Sequence, residues 1–350
     1  MKLKKKKSTM TLIMCILSVI SAAILAFSVA SEEIDTSVVD LPSADKGIKD
    51  VPTDTITNRK NYLILGTDRA SGLTDVMMIV SVDAEAEKAD VVQIPRDTYA
   101  RYSSGGYRKI NGAVSVLGGA EELRDMLCEA MCIDIDGYVV FGLDAFVKAV
   151  DLVGGVEVYI PFDIDYDDPY QNLSIHLDAG NQILNGKAAE QFVRYRSDYV
   201  RGDLGRIDAQ KLFLSAFIKK LSDEMTPALF VKTAASMMGE VNTNLTIKEI
   251  ADLAKSFHKI SASDITMLTL AGSDVRAKSG AWYYVISKSS AEKIAKEHLG
   301  ADTTDRKFDK DKIFVDFDDN KFSDIYNSDI PYFPIKVSEI NENGIVIQKR

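Results

Sequence analysis

Cysteine and histidine are scarce in this sequence, and neither residue is spaced to build a site. The chain has three of each among 350 residues. Cys128 and Cys132 stand four residues apart on a predicted helix, which is a poor spacing for a disulfide, and we expect buried thiols. His176, His258 and His298 are far apart, so we assign none of them a role as a metal ligand. The fold is therefore not expected to depend on disulfides.

Basic residues are outnumbered by acidic ones once the first seven residues are set aside. The formal net charge is −10, and five of the positive charges are lysines within residues 2–7, so residues 8–350 carry −15. A chain with this net negative charge does not bind nucleic acid through bulk electrostatics, so no nucleic-acid partner is expected. The sequence also lacks a Walker A loop, a His-Glu-x-x-His pair and a Gly-x-Ser-x-Gly motif.

Only one long uncharged run is found, at residues 10–30. About 21 residues make about 31 Å of helix, which is enough to cross a bilayer. The lysines before it predict that residues 1–9 are cytoplasmic and that the rest of the chain lies outside the cell membrane. Ser28-Val29-Ala30 also resembles a cleavage site, so a removed signal peptide is the alternative. We expect an uncleaved single-pass anchor, because the run is long for a signal peptide.

Three regions follow the predicted membrane helix. Residues 31–58 contain no aromatic residue and are rich in Asp, Ser, Thr and Pro, which predicts an extracytoplasmic stalk spanning on the order of 30 Å. Residues 59–299 mix short apolar runs with amphipathic segments, which predicts an α/β domain with a central mixed β-sheet. Residues 300–350 lose that pattern and are interpreted as a C-terminal extension, with a small β appendage as one reading.

Within the predicted domain, local patterns locate the elements. Strands are predicted at 62–65, 76–82, 89–94, 137–141, 156–160, 264–270 and 282–287. Helices are predicted at 120–131, 143–153, 186–193, 206–221, 226–238, 246–257 and 288–299. The acidic run at 163–168 lacks the glycine and glutamate of a calcium-binding loop, and is interpreted as a solvated loop.

Two aspartates and an arginine are predicted to share one sheet edge. Asp68 follows the first strand, Asp75 precedes the second and Arg96 follows the third. A short turn joins the second and third strands, so they are expected to be antiparallel neighbours. If the first strand also pairs antiparallel with the second, all three residues meet where ligand sites of α/β proteins often lie. Aspartates beside a phosphate site favour a divalent cation.

Arginines crowd the segment from residue 194 to residue 206. If the chain around Arg194 and Arg196 is extended, their side chains point to the same side. Arg206 falls in the first turn of a predicted helix, where free N–H groups favour anions, and Gln210 lies on the same helix face. Guanidinium groups match phosphate oxygens, which predicts a phosphate or diphosphate clamp. Ordinary surface charges are the alternative, above all for Arg201.

Two further readings stay open. Lys109 is either a phosphate contact or a surface lysine. Asp198 and Asp203 could simply form ion pairs with the arginines around them.

The sequence resembles the LytR–CpsA–Psr family across residues 61–221, in order and at the family's spacing. The motifs that carry the resemblance are Leu65-Gly66-Thr67-Asp68, Thr74-Asp75-Val76-Met77-Met78, Ile94-Pro95-Arg96-Asp97-Thr98, Lys109-Ile110-Asn111, Gly154-Gly155-Val156-Glu157-Val158, Leu184-Asn185-Gly186-Lys187-Ala188, and Arg194-Tyr195-Arg196 through Gly205-Arg206-Ile207 and Gln210. The sequence departs from the pattern at Leu73, where many members have an arginine. Arg69 is the candidate substitute.

The resemblance implies a membrane-anchored enzyme of the cell surface with an α/β/α sandwich fold. Members transfer a glycopolymer, such as wall teichoic acid or capsular polysaccharide, from an undecaprenyl diphosphate carrier to peptidoglycan. The product is a phosphodiester, undecaprenyl phosphate is released, and an apolar tunnel holds the prenyl chain. The alternatives are hydrolysis of the lipid diphosphate at the same site, or a non-enzymatic lipid-diphosphate-binding regulator of the cell envelope.

The resemblance also implies roles for individual residues. Asp68 and Asp75 would hold Mg²⁺, or Mn²⁺, on the diphosphate. The residues that would clamp the phosphates are Arg96, Arg194, Arg196 and Arg206, with Gln210 beside them. Phosphoryl transfer needs mainly positioning and charge neutralisation, which this set supplies. The proton of the attacking sugar hydroxyl would pass to Asp75, Asp97 or Asp203, and the sequence does not choose among them.

Overall fold

A computed structural model of the chain describes residues 59–67, 72–102, 106–168, 173–200, 202–224, 240–246, 259–308, 322–326 and 334–340, with six isolated residues besides. In these ranges no helix is long and apolar enough to span a membrane. The predicted membrane segment at 10–30 and the stalk at 31–58 lie outside the described residues, as does most of the helices predicted at 226–238 and 246–257.

The described ranges contain sixteen strands and six α-helices. Strands β1 to β16 are Arg59–Thr67, Thr74–Asp83, Lys88–Ile94, Tyr99–Arg101, Tyr107–Lys109, Gly137–Gly142, Val156–Ile160, Ile164–Asp168, Leu173–Leu177, Gly180–Leu184, Val241–Thr243, Ile265–Thr269, Gly272–Ala277, Trp282–Ile286, Phe322–Tyr326 and Ile335–Lys336. Helices α1 to α6 are Ala113–Leu117, Ala120–Met131, Leu143–Leu152, Gly186–Arg194, Asp203–Glu224 and Lys288–His298. Three short 3₁₀ helices are Ile110–Gly112, Ala262–Asp264 and Val337–Glu339.

The centre of the fold is a seven-stranded mixed sheet with the order β11-β6-β1-β2-β3-β12-β16. Its middle strands β1, β2 and β3 are antiparallel neighbours. Strand β6 runs parallel to β1, and β12 runs parallel to β3. The prediction of an α/β fold with a central mixed sheet is therefore confirmed.

Helices cover both faces of this sheet, because its middle strands are apolar on both sides. Ile64 and Met78 lie in a core shared with helices α3, α4 and α5. Their neighbours Leu65 and Met77 point the other way, into a core shared with α2, α6 and strand β14. Successive strand residues face opposite sides, so each buried strand serves two cores. The result is three layers, with helices on either side of the sheet.

Helix α2 confirms the helix predicted at 120–131. Leu123, Leu127 and Met131 are fully buried at helical spacing, and the helix ends at Cys132 in the left-handed conformation. Cys132 and Cys128 are free thiols, as predicted; Cys132 is buried and Cys128 is half-buried. Burial raises the pKa of both thiols. Neither thiol is primed as a nucleophile.

The predicted loop at 163–168 is wrong. Strand β8 forms there and pairs antiparallel with β9. Ile164 is buried in the core while Asp165 and Asp167 face solvent. The strand was missed because Asp165 and Asp167 occupy its solvent-facing positions. The alternation of these aspartates with Ile164 and Tyr166 was the signal that indicated a strand.

The segment after residue 300 contributes to two sheets. Strand β15 pairs with β13, and β16 extends the central sheet beside β12. The predicted boundary at residues 299 and 300 stays a prediction.

Candidate active site

The turn that follows β3 is held rigidly in place. The backbone N–H and the hydroxyl of Thr98 both donate to the Pro95 carbonyl, at 3.0 and 2.6 Å. The backbone N–H of Asn111 donates to the Arg96 carbonyl at 3.2 Å, and that of Ile110 donates to the Thr98 carbonyl at 2.8 Å. These bonds tie the turn to the segment after β5 and fix the backbone from which the Arg96 side chain projects.

Arg96 meets Asp75 at the sheet edge, as the strand arrangement predicts. Met77 of β2 pairs with Ile94 of β3, so the start of one strand lies beside the end of the other. The Nη1 atom of Arg96 lies 3.0 Å from Asp75 Oδ1, and the two side chains are 11% and 1% exposed. Asp68 lies outside the described residues, so its place in the site stays a prediction.

Asp203 is the point at which three arginines converge. Its Oδ1 atom lies 2.8 Å from Arg206 Nη2, 3.3 Å from Arg96 Nη2 and 4.0 Å from Arg196 Nη1. Arg206 is almost fully buried, whereas the Arg196 side chain is 54% exposed. Asp203 is the first residue of α5, where a negative charge is favourable. The structure therefore brings Arg96, Arg196 and Arg206 to one carboxylate.

Helix α5 begins earlier than the sequence predicts. It starts at Asp203, so Arg206 is its fourth residue and pairs with Asp203 one turn back. Gly205 makes this start possible, because a Cβ atom there would lie only 2.6 Å from Tyr199 Cβ. A side chain at this position would push the start of α5 away from the site.

The predicted extended geometry of Arg194 and Arg196 is wrong. Arg194 is the last residue of α4, and its guanidinium pairs with Glu190 of the same helix at 2.9 Å. Glu190 is 1% exposed, so this pair is an internal contact of the helix face. Arg194 and Arg196 thus do not alternate along one strand. A phosphate contact from Arg194 stays a prediction.

Lys109 and Gln210 have different partners near the cluster. Lys109 Nζ lies 2.9 Å from Asp97 Oδ1, and both side chains are partly exposed at the rim. Gln210 is buried, and its side-chain amide donates to the Val193 carbonyl at 3.3 Å, which links α5 to α4. Leu73 is half-buried immediately before β2. The phosphate contacts predicted for Lys109 and Gln210 stay predictions.

The two central carboxylates differ in their affinity for protons. Burial raises the pKa of the Asp75 carboxyl, and the charges of Arg96 and Arg206 only partly oppose that rise. Burial also acts to raise the pKa of Asp203, but the charges of Arg206, Arg96 and Arg196 outweigh it and lower the pKa below its usual value. Asp203 therefore stays ionised as an anchor for the arginines, whereas burial disfavours the ionised form of Asp75.

Four buried atoms of the cluster have no hydrogen-bond partner among the described residues: Asp75 Oδ2, Arg96 Nε, Asp203 Oδ1 and Arg206 Nε. For Asp203 Oδ1, the arginines lie at ion-pair distance without hydrogen-bond geometry. A buried polar group left without a partner costs about 1–3 kcal/mol. Such groups accumulate where a ligand completes them. The free N–H donors suit phosphate oxygens, and the free carboxylate oxygen of Asp75 suits a hard divalent cation.

The described residues contain no group of three or more His, Cys, Asp or Glu side chains that could hold a metal ion alone. A Mg²⁺ site commonly uses only one or two carboxylates together with substrate phosphates, and the unpartnered Oδ2 atom of Asp75 is an oxygen of the type that such a cation takes.

An aromatic cluster lies beside α5 and was not foreseen. Tyr199 and Tyr195 meet edge to face with ring centres 5.2 Å apart, and Phe162 lies 5.9 Å from Tyr199. Both tyrosines are fully buried in the core shared with α3, α4 and α5. Burial raises the pKa of the Tyr199 hydroxyl far above its usual value. The cluster packs against the start of α5, next to Arg206.

The role of Asp203 was also missed. The sequence allowed it an ion pair with the nearby arginines, but not the contact with Arg96. Its spacing of three residues from Arg206 was the signal for that ion pair, and no local pattern signalled the contact with Arg96.

Comparisons with known proteins show the family to which this chain belongs. The model described as the LytR_cpsA_psr family matches residues 27–299. The polyisoprenyl-teichoic acid–peptidoglycan teichoic acid transferase TagV of Bacillus subtilis (strain 168) is 32% identical over 241 residues, which are 67% of this chain and 61% of that protein. This chain thus spans less than two thirds of TagV. The regulatory protein MsrR of Staphylococcus aureus (strain COL) is 30% identical over 251 residues, covering 69% of this chain and 75% of MsrR.

A solved structure shows the same fold. The crystal structure of B. subtilis TagV superposes with a TM-score of 0.61 at 29% identity, and the match covers 70% of this chain and 99% of that one.

Proposed function

Because this chain belongs to the LytR–CpsA–Psr family, we propose that it is a glycopolymer–peptidoglycan phosphotransferase. Its donor would be a glycopolymer, such as wall teichoic acid or capsular polysaccharide, on an undecaprenyl diphosphate carrier. Its acceptor would be peptidoglycan. The observation that carries the proposal is the buried cluster of Asp75, Arg96, Asp203 and Arg206, whose unpartnered donors and acceptors fit a diphosphate with its cation.

Binding of the diphosphate would use the arginines unequally. Arg96 is held by the buried carboxylate of Asp75 and Arg206 by the half-buried carboxylate of Asp203, and both arginines present unpartnered Nε–H groups. Arg196 is exposed enough to follow the substrate at the rim of the site. Preorganised donors of this kind stabilise the charge that develops on the phosphoryl oxygens in the transition state. Arg194, Lys109 and Gln210 would support the same clamp from its edges.

The reaction would be an in-line displacement at the sugar-proximal phosphorus. The oxygen of a peptidoglycan sugar hydroxyl forms the new P–O bond, and the bond to the bridging oxygen breaks. Undecaprenyl phosphate leaves with that oxygen. The proton of the hydroxyl passes to one of the carboxylates Asp75, Asp97 and Asp203, and Asp97 and Asp203 are the two that are not also assigned to the cation.

A divalent cation belongs to the proposal as well. Asp75, with Asp68 as its predicted second ligand, would hold Mg²⁺ or Mn²⁺, which neutralises the diphosphate when it is bound. The unpartnered Oδ2 atom of Asp75 supports this assignment.

We also propose that the chain is a single-pass protein of the cell membrane. Residues 1–9 would be cytoplasmic, residues 10–30 would span the membrane, and the catalytic domain would lie outside it. The uncharged run and the lysines before it support this arrangement.

Transfer by the purified full chain tests the proposal. With a lipid-linked glycopolymer and soluble peptidoglycan, Asp75→Ala and Arg196→Ala should each lose transfer by a factor of about 10² to 10³, equivalent to about 3–4 kcal/mol. Arg124→Ala is the matched control, because Arg124 forms ion pairs only with exposed residues of α2, and it should transfer at the wild-type rate. Wild-type rates in both site variants would overturn the site assignment.

Products separate the two alternative functions. A hydrolase would release undecaprenyl phosphate at the same rate with and without peptidoglycan. A regulator would bind the lipid diphosphate without releasing any product, and the name of the relative MsrR keeps that outcome in view.

A further inference from the structure

Asp97 differs from the other two carboxylates of the site because its ion-pair partner is a lysine. It stands directly after Arg96, and its Oδ1 atom lies 2.9 Å from Lys109 Nζ. Within the ranges that the structure describes, Lys109 is the only residue that pairs with the Asp97 side chain, and the second carboxylate oxygen, Oδ2, has no partner. The side chain is 26% exposed, so the carboxylate is in contact with solvent.

The backbone of both members of this ion pair is held by hydrogen bonds. The Tyr284 N–H donates to the Asp97 carbonyl at 2.8 Å, and the bonds that close the turn after β3 fix the same residue from the other side. Lys109 is the last residue of β5 and pairs with Tyr99 of β4, two residues after Asp97. The fold thus positions the carboxylate and the ammonium together, and proton transfer needs a positioned group.

The ion pair lies close to the phosphate cluster. Burial acts to lower the pKa of the Arg96 guanidinium, but the charges of Asp203, Asp75 and Asp97 outweigh it and raise that pKa. Burial acts to raise the pKa of the Asp203 carboxyl, and the charges that lower it are those of the three arginines and of Lys109. Asp97 and Lys109 are therefore within electrostatic range of the guanidinium groups that would hold the diphosphate.

The other two carboxylates are poorly suited to accept a proton. Asp75 is 1% exposed, its Oδ1 atom pairs with Arg96, and its Oδ2 atom is assigned to the cation. Asp203 Oδ1 is the point where three arginines converge, and a carboxylate held by three positive charges is a weak base. Asp97 combines contact with solvent, from which a sugar hydroxyl arrives, with an oxygen that no described residue engages.

We propose that Asp97 is the general base of the transfer. As the oxygen of a peptidoglycan sugar hydroxyl bonds to the sugar-proximal phosphorus, Oδ2 of Asp97 takes the proton of that hydroxyl. The bond from the phosphorus to the bridging oxygen breaks, undecaprenyl phosphate leaves with the electron pair, and Asp97 then releases the proton to water. Lys109 is a positioning residue, because its ammonium holds Oδ1 and leaves Oδ2 to the hydroxyl. The inference rests on the proposed function and names the residue that activates its acceptor.

Transfer kinetics of the full chain test the assignment. Asp97→Asn keeps the size of the side chain and removes its basicity, so kcat should fall by a factor of about 10² to 10⁴ while the donor KM stays near wild type. Glu240→Gln is the matched control, because Glu240 forms a comparable exposed ion pair with Lys148 at 2.8 Å. Glu240 directly precedes β11, which lies four strand spacings, or about 19 Å, from β3. The control should transfer at the wild-type rate, and a wild-type kcat in Asp97→Asn would overturn the proposal.

Two further measurements separate a general base from a structural support. In Asp97→Ala, added formate should restore transfer in a saturable manner, because it supplies a carboxylate in the space that the side chain leaves; formate should not restore Arg196→Ala. Pyrophosphate should raise the Tm of Asp97→Asn at least as much as that of the wild type, since the arginines are kept and a nearby negative charge is lost. Equal responses to formate in the two alanine variants, or a smaller pyrophosphate shift, would show that Asp97 only supports the arginines and would overturn the proposal.

A double-mutant cycle tests the role of Lys109. Lys109→Met should lower kcat in the wild type and should change kcat little in the Asp97→Asn background, because the two residues act as one unit. Additive losses would overturn the positioning role of Lys109.

The outcomes separate this inference from the proposed function. If the wild type transfers glycopolymer and Asp97→Asn transfers it equally fast, the assignment of the base is wrong and the function stands. If the wild type only hydrolyses the lipid diphosphate and Asp97→Asn slows that hydrolysis as described, Asp97 is the base towards water and the transferase function is wrong. A wild type without any turnover would overturn both.

Discussion

Replacing Asp203 with asparagine removes the charge on which three arginines converge while keeping the shape of the side chain. Removing one partner of a fully buried ion pair costs about 3–5 kcal/mol. The Asp203 side chain is 23% exposed and Asp75 still neutralises Arg96, so we expect a smaller loss of about 2 kcal/mol. For a large domain this lowers the Tm by about 4–8 °C. Thermal unfolding of the full chain measures the loss.

The same substitution should strengthen anion binding. Without the carboxylate, Arg96 and Arg206 face a site that is more positive by one charge and no longer compete for an internal partner. Pyrophosphate should therefore raise the Tm of Asp203→Asn more than that of the wild type. At 100 times the Kd, a ligand adds about 2.7 kcal/mol of stability, so the shift is measurable.

Asp134→Asn provides the control for both effects. Asp134 is 87% exposed and pairs with Arg306, so its loss should change neither the Tm nor the pyrophosphate shift appreciably. The reasoning is refuted if Asp203→Asn is as stable as this control, or if pyrophosphate stabilises it less than it stabilises the wild type.

Two further predictions concern the packing of α5 and a buried carboxylate of β3. Gly205→Ala places a Cβ atom 2.6 Å from Tyr199 Cβ, so it should displace the start of α5 and lower the free energy of unfolding by about 1–3 kcal/mol. The transfer rate and the Tm should both fall. An unchanged transfer rate would contradict the packing argument. Asp90 is buried, and burial by itself raises the pKa of its carboxyl group. His298 at 2.9 Å and Arg59 at 2.7 Å outweigh burial, so the pKa of Asp90 is lowered. The folded state then binds fewer protons than the unfolded state, so this contribution is present above about pH 3.9 and is lost as the pH falls further. Asp90→Asn should therefore be less stable than the wild type at neutral pH and should lose less stability than the wild type between pH 4 and pH 2. If the free energy of unfolding falls equally with pH in wild type and variant, this reasoning is refuted.

The sheet edge could be predicted because it depends on local features. A short turn between two apolar runs makes them antiparallel neighbours, and that alone puts Asp75 beside Arg96. The two-sided burial of β1, β2 and β3 likewise follows from unbroken apolar runs, which need cover on both faces.

The arginine segment could be predicted only in part. Whether Arg194 is helical or extended depends on one more residue of α4, and the helical conformation directs Arg194 to Glu190 rather than outwards. The convergence of Arg96 on Asp203 joins two segments distant in the chain, and no local pattern encodes that distance. The alternation within residues 163–168 was readable, but the density of acidic residues suggested a loop instead.

The most direct test of the central claim is the product formed from a lipid-linked glycopolymer in the presence and absence of peptidoglycan. Mass spectrometry should show a phosphodiester between glycopolymer and peptidoglycan, with undecaprenyl phosphate released only when the acceptor is present. Arg96→Ala should abolish both products. Release of undecaprenyl phosphate at the same rate without acceptor, or bound lipid diphosphate that never turns over, would contradict a transferase.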